Sequence, residues 1–138
     1  MKNQMLKIIN NGLVVENLGY DQAIDEQPMP ESIEMCRKWI KEWIDVRKTI
    51  NKKSGYGSYS LKHFVEEMRG GDISNGAFIQ AAKDEGYKIE PFGPNSPNAH
   101  FNMNFTRLDK ERKRLQDERD RKYWKEREKE SMARMEKN

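Results

Sequence analysis

The chain has 138 residues and a mass of 16.4 kDa, room for one small domain with appendages. Apolar residues make up 35% and charged residues 36%, with a mean hydropathy of -1.09, so part of the chain lies outside any apolar core. No apolar run of about 18 residues is present, which excludes a membrane-spanning helix. Residues 1–15 lack the sustained apolar core and cleavage site of a secretory signal. The single Cys36 excludes an internal disulfide and a multi-cysteine zinc site, and a free thiol beside eight methionines points to a reducing cytoplasm.

The net charge of +3 is unevenly spread. Residues 1–30 carry -2, residues 31–105 carry +1 and residues 106–138 carry +4. Within the middle, residues 37–53 hold seven cations against Glu42 and Asp45. A local basic stretch on a near-neutral domain points to a polyanionic partner, and a solvated helix face explains it equally well.

The first thirty residues read as an arm and linker. Two β-prone runs, residues 6–9 and 13–15, flank Asn10-Asn11-Gly12, a turn that closes a hairpin. Such a hairpin must dock on something to persist. An extended linker with Pro28 and Pro30 follows. Ile33, Cys36, Ile40, Trp43, Arg47 and Ile50 recur at three/four spacing, which predicts a helix over 31–51, ending before Ser54-Gly55-Tyr56-Gly57. Ser58 or Ser60 then caps a helix burying Leu61, Phe64, Val65 and Met68, stopped by Gly70-Gly71. A third helix over 74–86 is capped by Ser74 or Asp72, turns Ala77, Phe78, Ala81 and Ala82 inward, and stops at Gly86. Residues 87–89 and 99–105 are strand-like around the turn-rich 91–98. The predicted fold is therefore mainly α with a small β-hairpin, a winged-helix-like (helix-turn-helix) domain over 31–105. From Thr106 onward, interleaved Glu/Asp and Lys/Arg predict a long, charged C-terminal helix over 106–138, supported by pairs such as Arg114–Glu118 at i,i+4. Its apolar residues are too sparse for a coiled coil.

A basic helix-turn-helix reads double-stranded DNA by entering the major groove. On the helix over 74–86, Asn75, Ile79, Gln80 and Lys83 fall opposite Phe78 and Ala81, and Asn, Gln and Lys are side chains that contact base edges. Ser74 and the helix N-terminus suit a phosphate, and Lys48, Lys52, Lys53 and Lys62 flank the surface. Asn95, Ser96 and Asn98 are turn formers that also sit where a wing touches the backbone. Trp39 and Trp43 serve either the core or a homodimer contact, and Tyr123 with Trp124 marks a docking spot on the last helix.

Arg47-Lys48-Thr49-Ile50-Asn51, Tyr59-Ser60-Leu61-Lys62-His63, residues 73–79, Ala81-Ala82, Gly86-Tyr87 and residues 96–102 form a pattern over roughly 46–104. This pattern is similar to a family of small proteins of phages, genomic islands and other bacterial mobile elements. The resemblance implies a helix-turn-helix-like module in the cytoplasm of a bacterial host. Some relatives resemble amino-terminal modules of anti-CRISPR proteins, where such a module represses its own operon.

Catalysis has little support. His63 and His100 lack a convincing carboxylate or cysteine partner, and neither a phosphate-binding loop nor a dinucleotide fingerprint is present. The expectation is a non-enzymatic DNA-binding regulator of a phage or mobile element, without cofactor, metal or membrane. The alternatives are a small inhibitor of a host defence protein such as an effector nuclease, and an adaptor in phage replication or packaging.

Overall fold

The computed structural model describes residues 6–15 and 27–136. It is mainly helical, with small antiparallel strand pairs and a long C-terminal helix. The chain divides into two compact units, residues 1–105 and residues 106–138. Much of the linker expected before Pro30 lies outside the described residues.

In the first unit, β1 (Leu6–Ile9) and β2 (Gly12–Val15) form the hairpin that the Asn-Asn-Gly turn predicts. It docks on the third helix. The Gly76 N–H donates to the Asn10 carbonyl at 3.0 Å, and a Cβ on Gly76 would fall on the Ile9 carbonyl oxygen. Only glycine lets the turn sit this close. Gly12 has φ +130°, and a Cβ there would strike the Pro97 carbonyl.

Helix α1 (Pro30–Trp43) starts on its proline and stops eight residues earlier than the periodicity predicts. Ile44 turns extended, and β3 (Asp45–Val46) pairs antiparallel with β6 (Met103–Asn104). The β-branched Ile44, Val46, Thr49 and Ile50 weaken the helix here, and sheet-like hydrogen bonds to 101–103 outbid it. The basic stretch is thereby split between α1 and the loop 47–53.

Helix α2 (Ser58–Arg69) has Gly57, neither Ser58 nor Ser60, at its N-cap; Ser60, in the first turn, accepts from the Gly57 N–H through its Oγ at 3.4 Å. Ser58 is buried and accepts from the Ala99 N–H at 3.0 Å, so it anchors a strand instead of capping. Helix α3 (Asn75–Asp84) has Ser74 as its cap, accepting from Ala77 N–H at 3.1 Å, and Gly86 with φ +89° follows its end. The strands β4 (Ile89–Pro91) and β5 (Ala99–Phe101) then form the expected hairpin.

The core gathers around α3. Phe78 meets Trp39 of α1 and Phe101 of β5 edge-on, at centroid separations of 6.0 Å and 5.7 Å. Ala77, Ala81 and Ala82 are fully buried, and their small size lets α1 approach closely. Trp39 is fully buried and donates from Nε1 to Met68 Sδ at 3.2 Å, which assigns it to the core and removes it as a dimer contact. Trp43 is half-buried.

The second unit is α4 (Thr106–Glu136). Leu108 is buried, Glu111 and Leu115 are half-buried, and the other described side chains are exposed. Arg114 holds Glu111 at 2.6 Å and Glu118 at 3.2 Å, ion pairs of the kind the sequence predicts.

Candidate nucleic-acid interface

Most of the expected reading helix is buried, and its solvent-facing edge is limited to Gln80, Lys83 and Asp84. Seven of the ten α3 residues are buried, including Asn75 and Ile79, which the helical pattern placed on the outer side. The hairpin of residues 6–15 covers that second face, so neither side chain reaches a DNA groove. Asn75 Nδ2 instead lies 3.1 Å from the Asn11 carbonyl, 3.1 Å from the Pro97 carbonyl and 3.0 Å from Asn98 Oδ1. It ties the hairpin turn and the 96–98 turn to the start of α3. Asn75 Oδ1 is buried without a protein partner among the described residues.

The other proposed contacts fall into three groups. Ser74 is occupied as the cap of α3, and the N-terminus behind it lies under the hairpin turn, closing the expected phosphate site. Lys62 is also engaged: it sits 3.5 Å from Glu66 and 5.0 Å from the centre of the Tyr59 ring. Burial alone would raise the Glu66 pKa, but the Ile73 N–H, Lys62 and His63 outweigh it and hold the carboxyl below its usual range. Lys62, within α2, thus shares the carboxylate that also accepts from the Ile73 N–H ahead of α3. Gln80 is half-buried and donates to Asp84 at 2.9 Å, while Lys83 is exposed on the last turn. In the 91–98 turn, Asn95 is exposed with φ +64°, Ser96 Oγ accepts from the Asn98 N–H at 3.2 Å, and Asn98 receives Asn75.

The third group comes together on the loop 47–53. Arg47, Lys48, Lys52 and Lys53 are all exposed. Two asparagines shape this loop. Asn102 is buried, donates from Nδ2 to the Arg47 carbonyl at 2.9 Å, and accepts from the Lys88 N–H at 2.6 Å. Asn51 donates to the Met103 carbonyl at 3.0 Å and accepts from the Ser54 N–H at 3.2 Å. The result sets Lys88 beside Lys48: its Nζ lies 3.4 Å from the Lys48 carbonyl. Lys52 pairs with Glu90, and Arg47 reaches Thr49 at 3.2 Å. Among the described residues, Arg47, Lys48, Lys53 and Lys88 have no carboxylate within ion-pair distance. Lys88 was missed as a site residue because its neighbours lie about forty positions away in sequence.

The remaining reactive groups are Cys36, His63 and His100. Burial, with the nearby Glu66 charge, pushes the Cys36 thiol up to about 12, which keeps it protonated and unreactive. No group of three or more metal-ligating side chains occurs among the described residues. Contrary to the sequence expectation, His63 has a carboxylate neighbour one turn along α2, its Nδ1 lying 2.9 Å from Glu66, while His100 stacks on Phe92. Comparison of the chain with protein-family models, characterised proteins and solved structures finds no significant match.

Proposed function

We propose that the protein is a non-enzymatic nucleic-acid-binding protein that grips the phosphate backbone through the loop 47–53 and Lys88. The observation supporting this reading is the cation cluster itself. Four basic side chains of the loop and Lys88 beside them surround a segment braced by the buried Asn102 and the half-buried Asn51, with Glu90 and Asp45 as nearby acids. A pre-shaped loop loses little freedom on binding, and clustered cations release counterions from a polyanion. In a winged-helix-like frame, the β4–β5 wing and the adjoining loop meet the nucleic acid, and α3 serves as the core. The resemblance to proteins of mobile elements makes regulation of such an element the setting for this activity.

The test is fluorescence anisotropy of a labelled DNA at increasing salt. Log affinity is expected to fall with log salt by about 0.9 per duplex phosphate contacted, or about 0.7 per contact on a single strand. Neutralising Lys48, Lys53 and Lys88 to Gln flattens that slope. Binding that ignores salt, or ignores the three substitutions, contradicts the proposal.

A second reading, an inhibitor that docks on a host defence protein, draws on a different observation. Tyr123 and Trp124 lie side by side on α4 with ring centroids 5.5 Å apart and are 51% and 62% exposed. Adjacent exposed aromatics are typical anchors of protein interfaces. Alanine at both positions would abolish inhibition while leaving DNA binding intact.

A further inference from the structure

Lys88, Glu90 and Phe92 follow at two-residue spacing along β4 and its flanks, so their side chains leave the same face of the strand. On that outward face three contacts stand in a row. Lys88 Nζ meets the Lys48 carbonyl, Lys52 pairs with Glu90, and Phe92 stacks on His100. The stack has a centroid separation of 4.1 Å and an interplanar angle of 19°. Glu90 and His100 are direct cross-strand partners, so the Lys52–Glu90 pair lies beside the aromatic stack. The opposite face turns Ala99 and Phe101 into the core.

Phe92 is held firmly yet remains 48% exposed. His100 supports the ring, and a Cβ on Gly57 would collide with it, so the ring also rests on bare backbone. A flat, half-exposed ring on a face that also carries Lys88 and the Lys52–Glu90 pair offers an unpaired nucleotide a surface for its base and cations for its phosphates. A duplex hides its base faces inside the stack and offers this ring nothing to stack on.

We propose that this sheet face binds single-stranded nucleic acid, with one base stacked on Phe92 and the adjoining phosphates held by Lys52, Lys53 and Lys88. The inference rests on the phosphate-binding reading above and narrows its ligand from nucleic acid in general to an unpaired strand.

The experiment measures anisotropy with the full chain, using labelled oligothymidine and a duplex of the same length at fixed low salt. The single strand is expected to bind tighter. Phe92→Leu keeps an apolar side chain against Gly57 but removes the flat ring. It should weaken oligothymidine binding about tenfold or more, as loss of one base–aromatic stack does, while duplex affinity and the thermal midpoint stay near wild type. Phe92→Trp should retain single-strand binding, because it restores a flat ring. The inference is overturned if duplex binds as tightly as oligothymidine, or if Phe92→Leu binds oligothymidine like wild type. Should neither nucleic acid bind, the phosphate-binding reading fails with it. Should both bind with no dependence on Phe92, only the stacking surface fails.

Discussion

Asn75 shows how a single side chain separates a structural role from a reading one. Its amide spans the hairpin turn, the 96–98 turn and α3, all in a buried setting. Asn75→Ala leaves those acceptors without a donor and should cost about 1–3 kcal/mol of stability. Urea unfolding measures this loss, and nucleic-acid affinity of the folded protein should stay unchanged. A DNA-reading residue would give the reverse result. His100 carries a second prediction. Burial first, and then the Lys52 charge, lower its pKa from the usual 6.5, although Glu90 and a backbone hydrogen bond to Tyr56 act the other way. The unfolded chain then takes up this proton before the folded chain does. The His100 contribution to stability is complete above about pH 6.5 and is lost as pH falls through the lower folded value. An NMR titration should show His100 protonating below 6.5, and His100→Gln should flatten the stability profile in that range. A His100 resonance titrating above 6.5 contradicts this assignment.

At the scale of elements, α4 predicts a clean separation of roles. Residues 116–136 are exposed throughout, and exposed ion pairs such as Arg134–Glu130 at 3.9 Å contribute little. Truncation after Leu115 keeps the buried Leu108 and should leave the thermal midpoint of the remaining chain nearly unchanged by calorimetry. A large drop would mean that the distal helix carries stability. The same elements show what local sequence can and cannot reveal. The ends of α2 and α3 were legible because Gly70, Ser74 and Gly86 act within a turn of the residues they cap or stop. The end of α1 was not, because the bonds that pull residues 45–53 into an extended path reach 101–104, about fifty positions away. The burial of α3 left a trace: Gly76, Ala77, Phe78, Ile79, Ala81 and Ala82 leave almost no polar face, and a helix apolar nearly all round belongs in a core. Lys48, Lys52 and Lys53 were visible as charge, but their scaffold was not. Asn51 and Asn102 read as ordinary polar residues until the backbone groups they bind are in view.

Across the whole molecule, the proposed nucleic-acid surface is the loop 47–53 and the β4 face, with α3 as the structural centre. The two surfaces make opposite predictions under substitution. The Lys48→Gln, Lys53→Gln, Lys88→Gln triple variant removes cations that project into solvent, so it should fold normally by circular dichroism. Gln80→Ala and Lys83→Ala alter the accessible edge of α3 and should leave binding within about twofold, since neither side chain has a groove-facing helix behind it. The most direct measurement is the salt dependence of DNA affinity for wild type, the triple variant and the α3 double variant, side by side. The account predicts a steep salt slope for wild type and the α3 variant, and a slope shallower by about 2–3 for the triple variant. A triple variant that binds like wild type while the α3 variant loses affinity would contradict it.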